Sequence, residues 1–347
     1  MNTLGNPPAF TYDTHGLDGI EEAFKADEIL RAATEKNLAT AGMTGVAIGV
    51  VEASKPENNL APEVLAWANQ EFSRGPDGSV FDDWDKYDAH LSTPAPMDLG
   101  ELFALNPNLG ATLTRLYQAK EEITATGERT PARWNQPLQN WEEGGLVGDT
   151  MHLVLVPWQE LQGNLNNLRS WVHNMRATQA VVKDDNDFIL IDLLVGLRDG
   201  TKLYRDPNTN EWLSTADYLR GRITQDGPWG VMLAQTGNTV GMQSLHAKSP
   251  NELTCAGEQH LKIKDVKVDG LGCLEWLTMS LQEDPETLIL QHKCDSWLLA
   301  NRLDDIEGDF SPEVPVGCWL GATAEVSTTT RTVFAGDSSS LPRLAVL

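Results

Sequence analysis

The amino-acid sequence predicts an α/β or α+β protein, a mixed sheet flanked by helices with a mainly helical N-terminal part. Three patterns carry this expectation. Leu102 to Glu122 sets Leu105, Leu109, Leu113, Leu116 and Tyr117 at helical spacing, with a break at Asn106-Pro107. His152 to Pro157 is an apolar run of strand length, and Leu161, Leu165, Leu168, Trp171 and Val172 follow it at helical spacing, so the pair reads as a strand–helix unit. Phe188 to Val195 is the clearest core strand, interrupted only by Asp192.

The other elements follow in order. Asp18 can cap a helix over 18–39 that carries Ile20, Phe24, Ile29 and Leu30. Residues 42–51, rich in glycine and β-branched side chains, read as a buried strand. Pro62 suits the first turn of a helix reaching Phe72. Residues 74–100 read as a long loop anchored by Phe81, Trp84 and Tyr87, and the Gly- and Pro-rich stretch 124–149 marks a domain boundary. Residues 1–145 and 146–347 are therefore expected as two domains. In the second, Ser214 caps a short helix through Tyr218 and Leu219, and strands are expected at 228–235 and 259–268. Asp269-Gly270 should open a helix through Leu281, followed by strands at 297–303, 314–320 and 324–333. Leu344 to Leu347 reads as a docked C-terminal strand.

The chain has 347 residues, 41% of them hydrophobic, which is enough to bury a large core and excludes a disordered or collagen-like chain. Fifty acidic residues against 26 basic ones leave a net charge of −24, and the excess is spread over both halves. A field of that sign repels phosphate backbones and anionic lipid, so nucleic acid and membrane surfaces are not expected as partners. The start Met1 to Pro8 lacks the basic and apolar regions of a signal peptide, and no segment approaches a membrane span, so a cytoplasmic setting is expected.

Catalytic signatures are sparse. The four cysteines, Cys255, Cys273, Cys294 and Cys318, form no C-x-x-C pair, and the seven histidines form no H-x-x-x-H pair, so neither a metal nor any other cofactor is expected. His246, Cys255, His260 and His292 could meet only through the fold. Gly270-Leu271-Gly272-Cys273 sets a thiol in the first turn of a helix, where the dipole could activate it, although flanking leucines favour a packed turn. Gly270 and Gly272 begin a dinucleotide-type glycine pattern, but Glu275 stands where its third glycine belongs. Asp192, inside its apolar strand, is a candidate for pairing or a shifted pKa.

The order of several motifs resembles a bacterial domain family of unknown function over residues 150–335 at most. These are Phe188-Ile189-Leu190-Ile191-Asp192, then Asp269-Gly270-Leu271-Gly272-Cys273-Leu274-Glu275-Trp276-Leu277 and Pro285, then Cys294 with Leu298-Leu299-Ala300-Asn301-Arg302, and last Val314-Pro315 with Trp319-Leu320. The chain departs from that family at Gly317-Cys318-Trp319-Leu320, where the family carries an aromatic-rich Gly-Trp-Cys-Trp stretch. The chain is also similar to accessory peptide-binding proteins of ribosomal peptide biosynthesis, which implies a peptide or protein ligand. Eleven tryptophans, more than this length usually carries, suit such a role because the indole makes flat, specific contacts. The leading expectation is a non-catalytic binding protein with Trp229, Trp297, Arg302 and Trp319 as groove walls, Arg302 anchoring a carboxylate. A hydrolase or transferase with a site assembled from distant residues, and a structural protein of a large assembly, are the alternatives. A homo-oligomer is compatible with each. Trp319→Ala should weaken ligand binding in a titration and leave the melting temperature unchanged.

Overall fold

The computed structural model describes residues 59–73, 84–135, 140–177, 188–190, 202–206, 208–209, 211–236, 241–245, 261–263, 266–268, 270–282, 295–301, 314–320, 323–329, 340–342 and 344–347. The chain divides into two units, Met1–Asn58 and Asn59–Leu347, and every described residue belongs to the second. The helix expected at 18–39 and the strand at 42–51 lie outside the described residues. The change of texture expected near residue 145 falls inside the second unit.

Three helices come first: α1 (Pro62–Phe72), α2 (Leu99–Leu105) and α3 (Leu109–Ala125). Pro62 opens α1, whose buried stripe is Val64, Trp67, Ala68 and Glu71. Asp98 caps α2 by accepting the Glu101 N–H at 2.8 Å. The expected break at Asn106-Pro107 separates α2 from α3, and the buried Asn106 side chain accepts from the Asn108 N–H and donates to the Trp229 carbonyl.

Beyond them come the hairpin β1 (Arg133–Asn135) and β2 (Asn140–Glu142), then β3 (Met151–Val156), α4 (Trp158–Gly163) and α5 (Leu168–Ala177). The single helix expected through Leu161 and Val172 is thus broken. Gly163 and three asparagines, poor helix formers, supply a turn of 3-10 helix at Leu165–Asn167. Next are β4 (Phe188–Leu190), β5 (Lys202–Arg205), β6 (Trp212–Ser214), α6 (Thr215–Asp226) and β7 (Gly230–Gln235). Ser214 caps α6 as expected, accepting the Asp217 N–H, and Gly227 ends the helix at φ 74. The run 259–268, expected as one strand, is a hairpin of β8 (Leu261–Ile263) and β9 (Val266–Val268). The remaining elements are α7 (Cys273–Gln282), β10 (Asp295–Trp297), β11 (Val314–Leu320), β12 (Thr323–Thr329), β13 (Ser340–Pro342) and β14 (Ala345–Val346).

The architecture is mixed α/β, as expected. A five-stranded sheet runs β13-β10-β11-β12-β4, with β13 and β4 parallel to their neighbours and the rest antiparallel. An antiparallel sheet runs β14-β7-β3, its long pair in register from Met151↔Gln235 to Val156↔Gly230. Helix α7 is enclosed over most of its length. Cys273 through Met279 and Leu281 are all buried, polar Glu275 and Thr278 included, so the helix sits in the core. It begins at Cys273, three residues after Gly270, because Gly270 takes a left-handed φ of 73 and redirects the chain. A Cβ at Gly317 on β11 would run into the Trp276 ring, so that strand's glycine gives α7 its closest seat.

A helix buried whole cannot leave its end groups to water. The Leu281 carbonyl at its far end accepts a 2.8 Å hydrogen bond from the Tyr87 hydroxyl, 194 positions away. Tyr87 is held edge-on by Trp84, and Trp84 lies edge-on to Trp229 at 5.3 Å, which explains the aromatic anchoring of the 84–100 segment. Tyr87→Phe should lower the unfolding free energy by about 1–3 kcal/mol, because it strands a buried carbonyl. A urea titration should show the midpoint falling with the slope unchanged, while Arg220→Ala, which breaks an exposed ion pair, should leave it in place.

Candidate functional site

The start of α7 gathers the densest set of buried polar groups among the described residues. Asn301, in the turn after β10, accepts the Cys273 N–H at 2.6 Å, so a residue 28 positions downstream serves as the helix cap. The Tyr204 hydroxyl on β5 accepts the Leu274 N–H at 2.7 Å. The turn is locked to β5 in return, since the Arg205 N–H donates to the Ala300 carbonyl and Tyr204 bridges Asn301. Tyr204 stacks on Tyr218 of α6 with ring centres 4.4 Å apart, and the Tyr218 hydroxyl donates to Glu275 Oε1 at 2.5 Å. A Cβ on Gly272 would meet Glu275 Oε2, Tyr204 and Asn301, so glycine is the residue that lets the three converge.

A second layer lies along the inner face of α6, where Tyr218, Arg222 and Asp226 recur one turn apart. Arg222 faces Asp226 at 3.7 Å and sits over the Trp158 ring at 5.0 Å, while Trp158 meets Tyr218 edge-on. Burial raises the Asp226 pKa against the opposing pull of Arg222, so at this separation desolvation outweighs the pair.

The electrostatics of the α7 start follow from enclosure. Burial pushes the Glu275 carboxyl up despite the Tyr218 hydrogen bond, and it pushes Tyr204 well up, with Glu275 as a further cause. Cys273 is a free buried thiol raised well above its ordinary range by burial and then by Glu275. Cys273 sits in a packed turn, the reading its flanking leucines favour. The helix N-terminus is present, but Asn301 and Tyr204 already take its first N–H groups, and the thiolate would form without water. The cluster can donate and accept hydrogen bonds and hold a protonated carboxyl; its chemistry is that of a polar clamp on a buried helix.

A separate hub centres on Glu71. Its carboxylate receives Lys120 Nζ at 3.2 Å, His152 Nδ1 at 3.3 Å and the Leu153 N–H at 3.2 Å, joining α1, α3 and β3. Lys120 also lies over the Trp67 ring. Sequence reasoning passed over Glu71 and met Glu275 only as a break in a glycine pattern, yet a signal existed: each is a carboxylate among the apolar residues of its helix.

The predicted groove residues part company. Trp229 is fully buried against Trp84, and Trp297 is 2% exposed on β10, so both rings belong to the core and neither forms an open wall. Trp319 is on β11 opposite Ala324, with its side chain outside the described set, and Arg302 lies outside the described residues. Asp192, His246, Cys255, His260 and His292 also lie outside them. Among the described residues no group of three His, Cys, Asp or Glu is placed to hold a metal, and no helix is long and apolar enough to cross a membrane. No protein-family model matches the chain, and no curated protein or solved structure shows significant similarity to it.

Because burial raises the Glu275 pKa in the folded state above its ordinary 4.5, its contribution is fully present below pH 4.5 and is lost as pH rises through the folded value. Within that window the loss runs at about 1.4 kcal/mol per pH unit. Glu275→Gln keeps an acceptor for Tyr218 and cannot ionise. Its melting temperature should exceed the parent's by a margin that grows as pH rises above 4.5; a constant difference would show that the carboxyl does not titrate this way.

Proposed function

We propose that this chain is a non-catalytic binding protein, an accessory protein of the bacterial cytoplasm whose ligand is a basic peptide or protein segment. The observation that carries this reading is charge: −24 over 347 residues, with carboxylates such as Glu63, Asp98, Glu121, Glu122 and Asp149 facing outward. Such a surface attracts cationic partners and speeds their encounter. The aromatic groove of the first expectation gains no support from Trp229 and Trp297, and among the described residues the one large exposed apolar side chain is Met97. Recognition in this reading therefore rests on electrostatics with local apolar contacts, and not on a wall of tryptophans.

Selection of a randomised dodecapeptide display library against the full chain tests it. Enriched peptides should carry an excess of Lys and Arg, bind with one-to-one stoichiometry, and lose about tenfold in affinity between 50 and 300 mM salt as exposed charges are screened. Neutral or acidic consensus peptides, or uptake without saturation, would overturn the reading.

A further inference from the structure

Where α6 meets α7, three side chains that carry charge in water are withdrawn from it: Arg222 is 4% exposed, Asp226 1% and Glu275 0%. Two are acids and one is a base, so the set is not neutral with every member charged. A guanidinium keeps its proton in a protein, and the balance is therefore struck at the carboxyls. A buried carboxyl without a compensating cation holds its proton, because the neutral acid is far less costly to enclose than the anion.

Geometry ranks the two acids. Asp226 lies one turn from Arg222 on α6, with Oδ2 3.7 Å from its Nε, and the exposed Arg115 of α3 adds to the pull. Glu275 has the Tyr218 hydroxyl, a neutral partner, on Oε1, and its Oε2 is enclosed without a hydrogen bond, a poor setting for a full charge. Among the described residues its other titratable neighbours are Tyr204 on β5 and Cys273 on α7, both buried and both held in their uncharged forms, so neither supplies a cation. Burial raises both carboxyls, and Arg222 opposes it at both, at Glu275 after the Tyr218 hydrogen bond. One guanidinium thus acts on two acids.

We propose that Asp226, Arg222 and Glu275 form one proton-holding site between α6 and α7, in which a single guanidinium serves two carboxyls that ionise in order, Asp226 first and Glu275 only at higher pH. Between the two steps the site is neutral overall. After the second step a net negative charge is enclosed and the contact of α6 with α7 weakens, so the site is a pH-operated joint between the two helices. The two ionisations belong to the set and not to either residue alone.

The test follows the side-chain carboxyl carbons of isotope-labelled aspartate and glutamate in the full chain by nuclear magnetic resonance as pH is raised. In Asp226→Asn, Glu275 loses a neighbouring anion and has Arg222 to itself, so its midpoint should fall by roughly one pH unit, a tenfold change in its ionisation constant. In Glu275→Gln, Asp226 should titrate where it does in the parent, because Glu275 is neutral when Asp226 ionises. An unmoved Glu275 midpoint in the first variant, or a comparable shift of Asp226 in the second, overturns the proposal. Hydrogen exchange reads the joint itself: corrected for its intrinsic pH dependence, exchange of the α6 amides should rise several-fold across the Glu275 step in the parent and stay level in Glu275→Gln, and an equal rise in both overturns it. Should Asp226→Asn fail to fold, the parent decides, since its Asp226 signal takes a second, smaller step at the Glu275 midpoint; a signal flat there overturns the coupling.

Discussion

Burial of α7 on all sides is the constraint on which the described structure depends. A helix with water on one face can leave its terminal N–H and C=O groups to solvent, but an enclosed helix must find protein partners for them. Here the partners come from three distant places, Asn301 and Tyr204 at the start and Tyr87 at the end. Each of those residues is in turn held by its own neighbours: the turn after β10 against β5, the tyrosine stack against α6, and the Trp84–Trp229 contact against β7. The five-stranded sheet, the α6 layer and the 84–100 segment are therefore tied to one another through a single helix.

The same enclosure sets the electrostatics of the polar region at the start of α7. Desolvation raises the pKa of Glu275, Tyr204 and Cys273 together, so the charged forms that would do acid–base or nucleophilic work are the ones the site suppresses. The Glu71 hub behaves differently, since its carboxylate lies within salt-bridge distance of Lys120 and of His152 and also accepts a strand-edge amide. Capping the Leu153 N–H with a side chain also occupies part of the edge of β3 that is not paired with β7, a position where a bare strand would invite pairing with another chain.

Much of the fold was legible in the sequence wherever the signal was local. Proline at the first turn of α1, the Asn106-Pro107 break, the Ser214 cap and the apolar run of β3 are each set by neighbouring residues, and each is found where the spacing placed it. The misreadings were also local in origin. The alternating run 259–268 pairs with itself as two short antiparallel strands where one was expected, and the helix through Leu161 to Val172 gave way at Gly163 and its asparagines. The tryptophans misled for a different reason: indole composition does not say which way a ring faces, and Trp229 and Trp297 face inward.

The sequence by itself determined several helical and strand segments, the Ser214 cap and the strongly acidic character, because propensity, periodicity and charge act over a few residues or over the whole chain. The tertiary structure alone decided which polar groups meet. Tyr218 and Glu275 are 57 positions apart, Glu71 and Leu153 are 82 apart, and Tyr87 and Leu281 are 194 apart. No local pattern encodes such pairings. They follow from how sheets and helices stack, and the low-dielectric interior then makes each buried polar group depend on the partner that stacking supplies.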